Sequence, residues 1–235
     1  MSSAREAEGL PPAPAGGQAT ITPEFAVLGA EVVEDAVAPT LRFRLGVSEP
    51  SGREIFTIAL TAQINVEPAR RDHDAATRER LVDLFGEPER WPATTHPFLW
   101  AQATTLVPTF TGAGMFTLPV PSTFDLEVSA ARYFSSLDDG EAPLAFHFSG
   151  SILLRGEDGR IQVVSVPWSC STTWRMPIAT WRSMMQRHYP CRSWVALQAD
   201  TVERLTQYRR DHGLHSFGAC VERMLDRDSE EVAGE

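Results

Sequence analysis

The sequence predicts a mainly β protein: an antiparallel two-sheet β-sandwich with a helical insertion and a helical C-terminal unit. Three observations predict it. Apolar and polar side chains alternate with a period of two through most of residues 24–168, and turn signals divide the runs. The alternation fails near residues 73–86, where the apolar spacing is helical. After Pro177 the period becomes helical as far as about residue 226.

Taken in order, residues 1–20 are rich in Ala, Pro, Gly and Ser and are expected to be a disordered tail. The sandwich is expected over residues 21–176. Leu41, Phe43, Leu45 and Val47 share one face of a strand. Pro50, Ser51 and Gly52 turn the chain into the next strand. There Phe56, Ile58, Leu60, Ala62, Ile64 and Val66 are placed on the dry face. Asp74 is a helix cap, Leu81, Val82, Leu84 and Phe85 are the apolar stripe of the insertion, and Gly86 and Pro88 stop it. Strands are expected again over residues 98–107, from Met115, and over residues 124–130, where Phe124, Leu126, Val128 and Ala130 alternate with polar neighbours. Leu144, Phe146, Phe148, Ile152 and Leu154 form a long dry face, and Asp158–Gly159 marks a hairpin back along it.

The C-terminal unit is expected over residues 177–226. Pro177 opens a helix striped by Ile178, Trp181, Met184, Met185 and His188. Residues 194–197 are extended. Asp200 and Glu203 read as a capping box, Gly213 as a left-handed stop and Ser216 as the cap of a last helix. Residues 227–235 are expected to be an acidic tail.

Composition narrows the function. Among 235 residues, 43% are hydrophobic and 22% charged, enough to bury a core without metal or disulfide support. The net charge is −10, a balance that disfavours nucleic acid and anionic lipid as partners. No run of about 18 apolar residues is present, so no membrane span is expected. Cys170, Cys191 and Cys220 have no framework spacing and Met1–Thr20 lacks a signal-peptide pattern, so the expected location is cytoplasmic.

Catalytic motifs are missing. There is no G-x-S-x-G, no phosphate loop and no H-E-x-x-H, so no catalytic residue and no cofactor is expected. His147 on a polar strand face, near Asp125 or Glu127, reads as structural. His188 with Cys191, and His212 with His215 and Cys220, could form metal-ligand pairs, but their spacing is not that of standard zinc sites, so no metal is assigned. The acidic turn at residues 138–141 is explained as a turn. Partner binding is the remaining class. Trp91 and Trp168 stand beside Pro in connections, where an exposed indole is a common interface anchor.

Two resemblances add to this. Residues 194–197, Asp200–Glu203, Arg209–Gly213 and the Val221/Met224/Leu225 helix resemble the ribbon-helix-helix pattern. The resemblance implies a regulator that forms a homodimer or binds DNA, with Arg192, Trp194, Ala196 and Gln198 facing outward on its strand. Second, Leu41–Leu45, Ile64–Pro68, Leu84–Trp91, Pro97–Trp100, Val107–Gly112 and Val166–Trp168 resemble an uncharacterised, mainly actinobacterial family known as a domain of unknown function. Its genes often lie beside those of [NiFe] uptake hydrogenases. That resemblance implies an accessory, assembly or scaffold protein whose partner is a hydrogenase subunit or maturation factor. The expected partner-binding residues are therefore Trp91, Trp168, Arg192 and Trp194.

Overall fold

A strand with one apolar face is stable only when that face meets another layer. The computed structural model describes residues 21–122, 128–156, 159–190 and 197–233. Its strands are β1 (Glu24–Val32), β2 (Thr40–Ser48), β3 (Glu54–Val66), β4 (Phe98–Val107), β5 (Phe110–Thr111), β6 (Ala113–Pro121), β7 (Glu141–Arg155), β8 (Ile161–Ser165) and β9 (Ser171–Pro177). The pairings described are antiparallel. The smaller layer runs β1-β2-β6. In the larger layer β3 is central, with β4 and β5 on one side and β7 on the other. The far edge of β7 is divided between β9, beside residues 141–147, and β8, beside residues 151–155. The two layers are continuous through β5, which pairs with both β3 and β6. β1 lies against β9 and β4 against β6, so both long sides are closed. Among the described residues no strand covers the outer side of β8.

The core lies between the layers. Phe43 of β2 meets Phe146 of β7 at 5.3 Å between ring centres, and Phe25 of β1 meets Phe148 at 4.4 Å. The expected dry faces of β2 and β7 are buried. The turn at residues 50–52 joins strands of different layers, because β2 pairs with β1 and β6 while β3 pairs with β4, β5 and β7. Phe56 does not share the dry face. A bulge between Ile55 and Thr57 inserts one residue, so Ile55 is buried and Phe56 is 53% exposed.

Helices close one end of the sandwich. The insertion is several short pieces rather than one helix: α1 (Ala75–Arg80), α2 (Val82–Phe85) and α3 (Trp91–Thr94). Asp74 caps α1 as expected, accepting from the Thr77 N–H at 2.7 Å. The strand expected over 124–130 is corrected: residues 128–130 begin α4 (Val128–Ser136), and the rest of that stretch lies outside the described residues. Burial of Ala130, Tyr133, Phe134 and Leu137 shows why, since these four recur at helical spacing. α5 (Ile178–His188) does not belong with the C-terminal helices. Pro177 is its cap and the last residue of β9, and Ile178, Trp181 and Met184 are buried. A run of ring contacts joins these helices to the core: Phe43 to Trp100 edge-on at 6.0 Å, Trp100 to Phe134 edge-on at 5.1 Å, and Phe134 to Trp181 tilted at 5.5 Å.

Three guanidinium groups fix the turn before β7. Arg71 donates to the carbonyls of Asp139 and Glu141, Arg80 to that of Ser136, and Arg182 to that of Leu137. Asp138 pairs with both Arg80, at 2.6 Å, and Arg182, at 3.4 Å. The acidic turn is thus a seam between insertion, α5 and sandwich.

The chain divides into compact units at 190/191. In the second, α6 (Ala199–Asp211) packs with α7 (Phe217–Ala233). α6 begins one residue before the expected Asp200, with Gln198 at its cap and no side-chain cap bond. Gly213, at φ +61°, ends its chain direction, and Ser216 Oγ accepts from the Ala219 N–H. The expected acidic tail from residue 227 is helical as far as Ala233.

Among the described glycines, Gly150 leaves the least room for a Cβ. Its φ is +142°, and a Cβ there would stand 2.0 Å from the Ala59 carbonyl oxygen of β3. Gly150→Ala should destabilise the protein by about 3–5 kcal/mol, combining backbone strain with overpacking. Gly52→Ala, at φ +73° with nothing within 4 Å, should cost about 1–2 kcal/mol. Urea denaturation of the two variants checks both values.

Candidate interaction face

From Thr57 onward, past the bulge, odd-numbered residues of β3 point away from the core, and the antiparallel register carries that parity across the layer. One outward row reads Gln102, Gln63, His147 and Ser171. The next but one reads Leu106, Ala59, Ser151 and Ser165. Beyond it stand Thr57, Leu153 and Val163. Among the described residues, the outward positions of the rows from Thr57 to Asn65 carry no Asp, Glu or Arg. That departs from a chain in which 22% of residues are charged. Leu106 is 70% exposed and Val163 66%. A hollow of about 350 Å³ lies between β3 and β4, lined by Ala59, Thr61, Thr104 and Leu106 among others. Charge depletion with exposed aliphatic groups is the composition of an interface centre. Arg155 with Glu54 bounds the face at one end, 3.9 Å apart. A charged groove of about 470 Å³ holding Glu67, Arg70, Glu141 and Arg175 bounds it at the other.

Trp168 stands at the edge of this face. It is 94% exposed, at the tip of the loop between β8 and β9. That loop is pinned at both ends: the Val166 N–H donates to the Gly150 carbonyl at 2.9 Å, and the Phe148 N–H to the Cys170 carbonyl at 2.9 Å. The Cys170 N–H closes the turn on the Pro167 carbonyl at 3.0 Å. A bare indole on a fixed loop has little ordering entropy left to lose on binding.

Trp91 is corrected. It is half-buried, its ring 5.4 Å from Phe85 and 5.3 Å from His73, and its Nε1 donates to the Gly86 carbonyl at 2.9 Å. It closes the insertion rather than standing free. Arg192 and Trp194 lie outside the described residues, as do Cys191 and residues 194–196 of the ribbon-helix-helix reading; Leu197 and Gln198 are described and are not in a strand. Over the described C-terminal helices, acidic residues outnumber arginines.

Of the metal-ligand candidates, His188, His212 and Cys220 have structural partners. Both ring nitrogens of His188 lie 3.2 Å from carbonyl oxygens, those of Met184 and Ala36. His212 stacks on Tyr208 at 4.0 Å with Nδ1 on the Tyr208 carbonyl, and Cys220 Sγ donates to the Ser216 carbonyl. Among the described residues no three His, Cys, Asp or Glu side chains converge. Burial raises the Cys170 thiol, whose Sγ lies 3.3 Å from the Pro23 carbonyl, so it is kept protonated and unreactive. His147 is exposed between Gln63 and Ser171, and Asp125 and Glu127 lie outside the described residues.

One polar pair was not visible in the sequence. His73 Nε2 lies 3.1 Å from the Tyr133 hydroxyl, 60 residues away, with both side chains buried. Burial, then the charges of Arg71 and Arg78, hold His73 below its ordinary value. Burial raises Tyr133 well above the usual phenol range. With so little of either group open to solvent, the pair fixes α4 to the insertion rather than meeting a substrate. No sequence signal pairs residues so far apart.

Fold and face together define a β-sandwich with an appended helical unit and one sheet face that carries no Asp, Glu or Arg among the described residues. The chain belongs to the family of unknown function DUF6084, whose pattern matches residues 20–233. No curated protein matches it. Solved structures that align with it include a late embryogenesis abundant protein, at 15% identity over 66% of this chain and 71% of that one, TM-score 0.30. Another is the ApaA protein of Bordetella pertussis, at 11% identity over 67% of this chain and 95% of that one, TM-score 0.23. A third is β-glucosidase 3B of Thermotoga neapolitana, at 13% identity over 67% of this chain and 17% of that one, TM-score 0.23. Among the described residues no helix is long and apolar enough to cross a membrane.

The buried His73 gives a pH test. A histidine lowered in the fold takes up protons more readily when unfolded. Its contribution is therefore full above its ordinary value of 6.5 and declines as pH falls from there toward the lower folded value. Between about pH 7.5 and about pH 5 the wild type should lose more stability than His73→Phe, by up to about 1.4 kcal/mol per pH unit. Urea midpoints of both proteins at the two pH values check this.

Proposed function

We propose that this chain is a non-enzymatic cytoplasmic accessory protein that docks a partner protein on the uncharged outer face of its larger layer. Trp168 is the anchor. The observation that carries the reading is the coincidence of a charge-free sheet face, on which Leu106 and Val163 are exposed, with a pinned and almost fully exposed indole beside it. An acidic chain repels acidic surfaces at long range, so a face without charge is where an uncharged, apolar patch of a partner is best accepted. The resemblance to a family encoded beside [NiFe] hydrogenase genes supports a hydrogenase subunit or maturation factor as that partner. Family context is association rather than mechanism, so the test must identify the partner and the face together.

Tagged full-length chain is incubated with native lysate of the source cells, and hydrogenase subunits and maturation factors are quantified in the eluate. Wild type should enrich one of them. Trp168→Ala should weaken the interaction by about 2 kcal/mol, roughly thirtyfold in Kd. Leu106→Asp, which places a charge in mid-face, should also reduce it. No enrichment of hydrogenase proteins over a tag-only control, or equal enrichment by all three proteins, would overturn the reading.

A further inference from the structure

We infer that a second copy of this chain pairs with it along β8, extending the larger layer across a two-fold axis. Among the described residues β8 is a strand whose outer edge no other strand pairs with, at the end of the strand order. The Val166 N–H and the Arg160 carbonyl are bonded to Gly150 and Gly156 of the β7 side, so even-numbered residues turn their backbone groups toward β7. Odd-numbered residues alternate with them, and Ile161, Val163 and Ser165 direct their N–H and C=O groups to the open side.

Natural edges are protected by Lys, by Pro, by a bulge or by an inward charge. β8 reads Ile-Gln-Val-Val-Ser, with none of these and a regular register. An antiparallel edge pairs with its own copy through a two-fold axis without any second complementary sequence. Centred on Val163, the pairing sets Ile161 opposite Ser165 of the second copy and Arg160 opposite its Val166. No like charges are opposed. That matters in a chain of net charge −10, where most surfaces of two copies repel. The exposed side chains of Ile161 and Val163 then become central in a sheet whose two uncharged outer faces form one surface.

This inference stands on the edge of the layer, not on partner docking to its face, and the variants that test it leave Trp168 and Leu106 in place. Val163→Pro and Ser165→Pro each delete an N–H that points away from β7, a place where an edge strand tolerates proline. Val163→Thr keeps the N–H. Sedimentation equilibrium of the full chain should show a dimer for wild type and Val163→Thr and a monomer for both proline variants, which retain the wild-type far-ultraviolet spectrum. If one proline variant does not fold, the other decides. A wild type monomeric at all attainable concentrations would overturn the inference. So would a folded proline variant that dimerises as tightly as wild type, which would move self-association to another surface such as the C-terminal helices.

Discussion

The β3–β7 ladder is the constraint on which the rest depends. It aligns residues 55–66 with residues 144–154 over most of the length of both strands. At its middle the two backbones approach so closely that Gly150 leaves no room for a Cβ. The opposite edge of β3 holds β4 and β5, and the opposite edge of β7 holds β9 and β8 in tandem. The Gly150 carbonyl also receives the Val166 N–H, so the residue that permits close approach also anchors the loop that presents Trp168. A packing requirement and the position of the candidate anchor thus share one residue.

The same ladder explains how one layer has two different faces. Its inner side chains, such as Ile58, Leu60, Phe146 and Phe148, are held against the smaller layer. Among its outer side chains Leu106, His147 and Val163 are exposed, while Ala145 is buried. The insertion helices, α4 and α5 are placed at the end of the sandwich, tied there by the Phe43–Trp100–Phe134 ring contacts and by Arg71, Arg80 and Arg182. Covering one end leaves the outer face open for another molecule.

Much of the sandwich was legible in the sequence because strand periodicity is local. β2, β7 and the dry face of β3 from Ile58 onward follow directly from alternation, and β4 from an apolar, Thr-rich run. Phe56 was misplaced because a bulge adds a residue without changing the local composition. α4 was misread because Val128 and Ala130 fit a period of two, while the helical recurrence extends to Leu137. α5 was assigned to the wrong unit because periodicity reveals a stripe but not the surface that covers it. Trp168 was legible from its Pro-flanked connection, whereas Trp91 has the same local signature and is shielded by Phe85 and His73. The charge-free face was invisible until the register was known, since its members come from five strands.

Residue-resolved amide hydrogen exchange of the native protein tests the central claim most directly. If the β3–β7 ladder organises the molecule, amides of β3 and β7 around Ala59 and Gly150 exchange only by global unfolding, with protection equal to the full unfolding free energy. Exchange in β3 and β7 through a lower-energy opening, while β1, β2 and β6 stay protected, would contradict it.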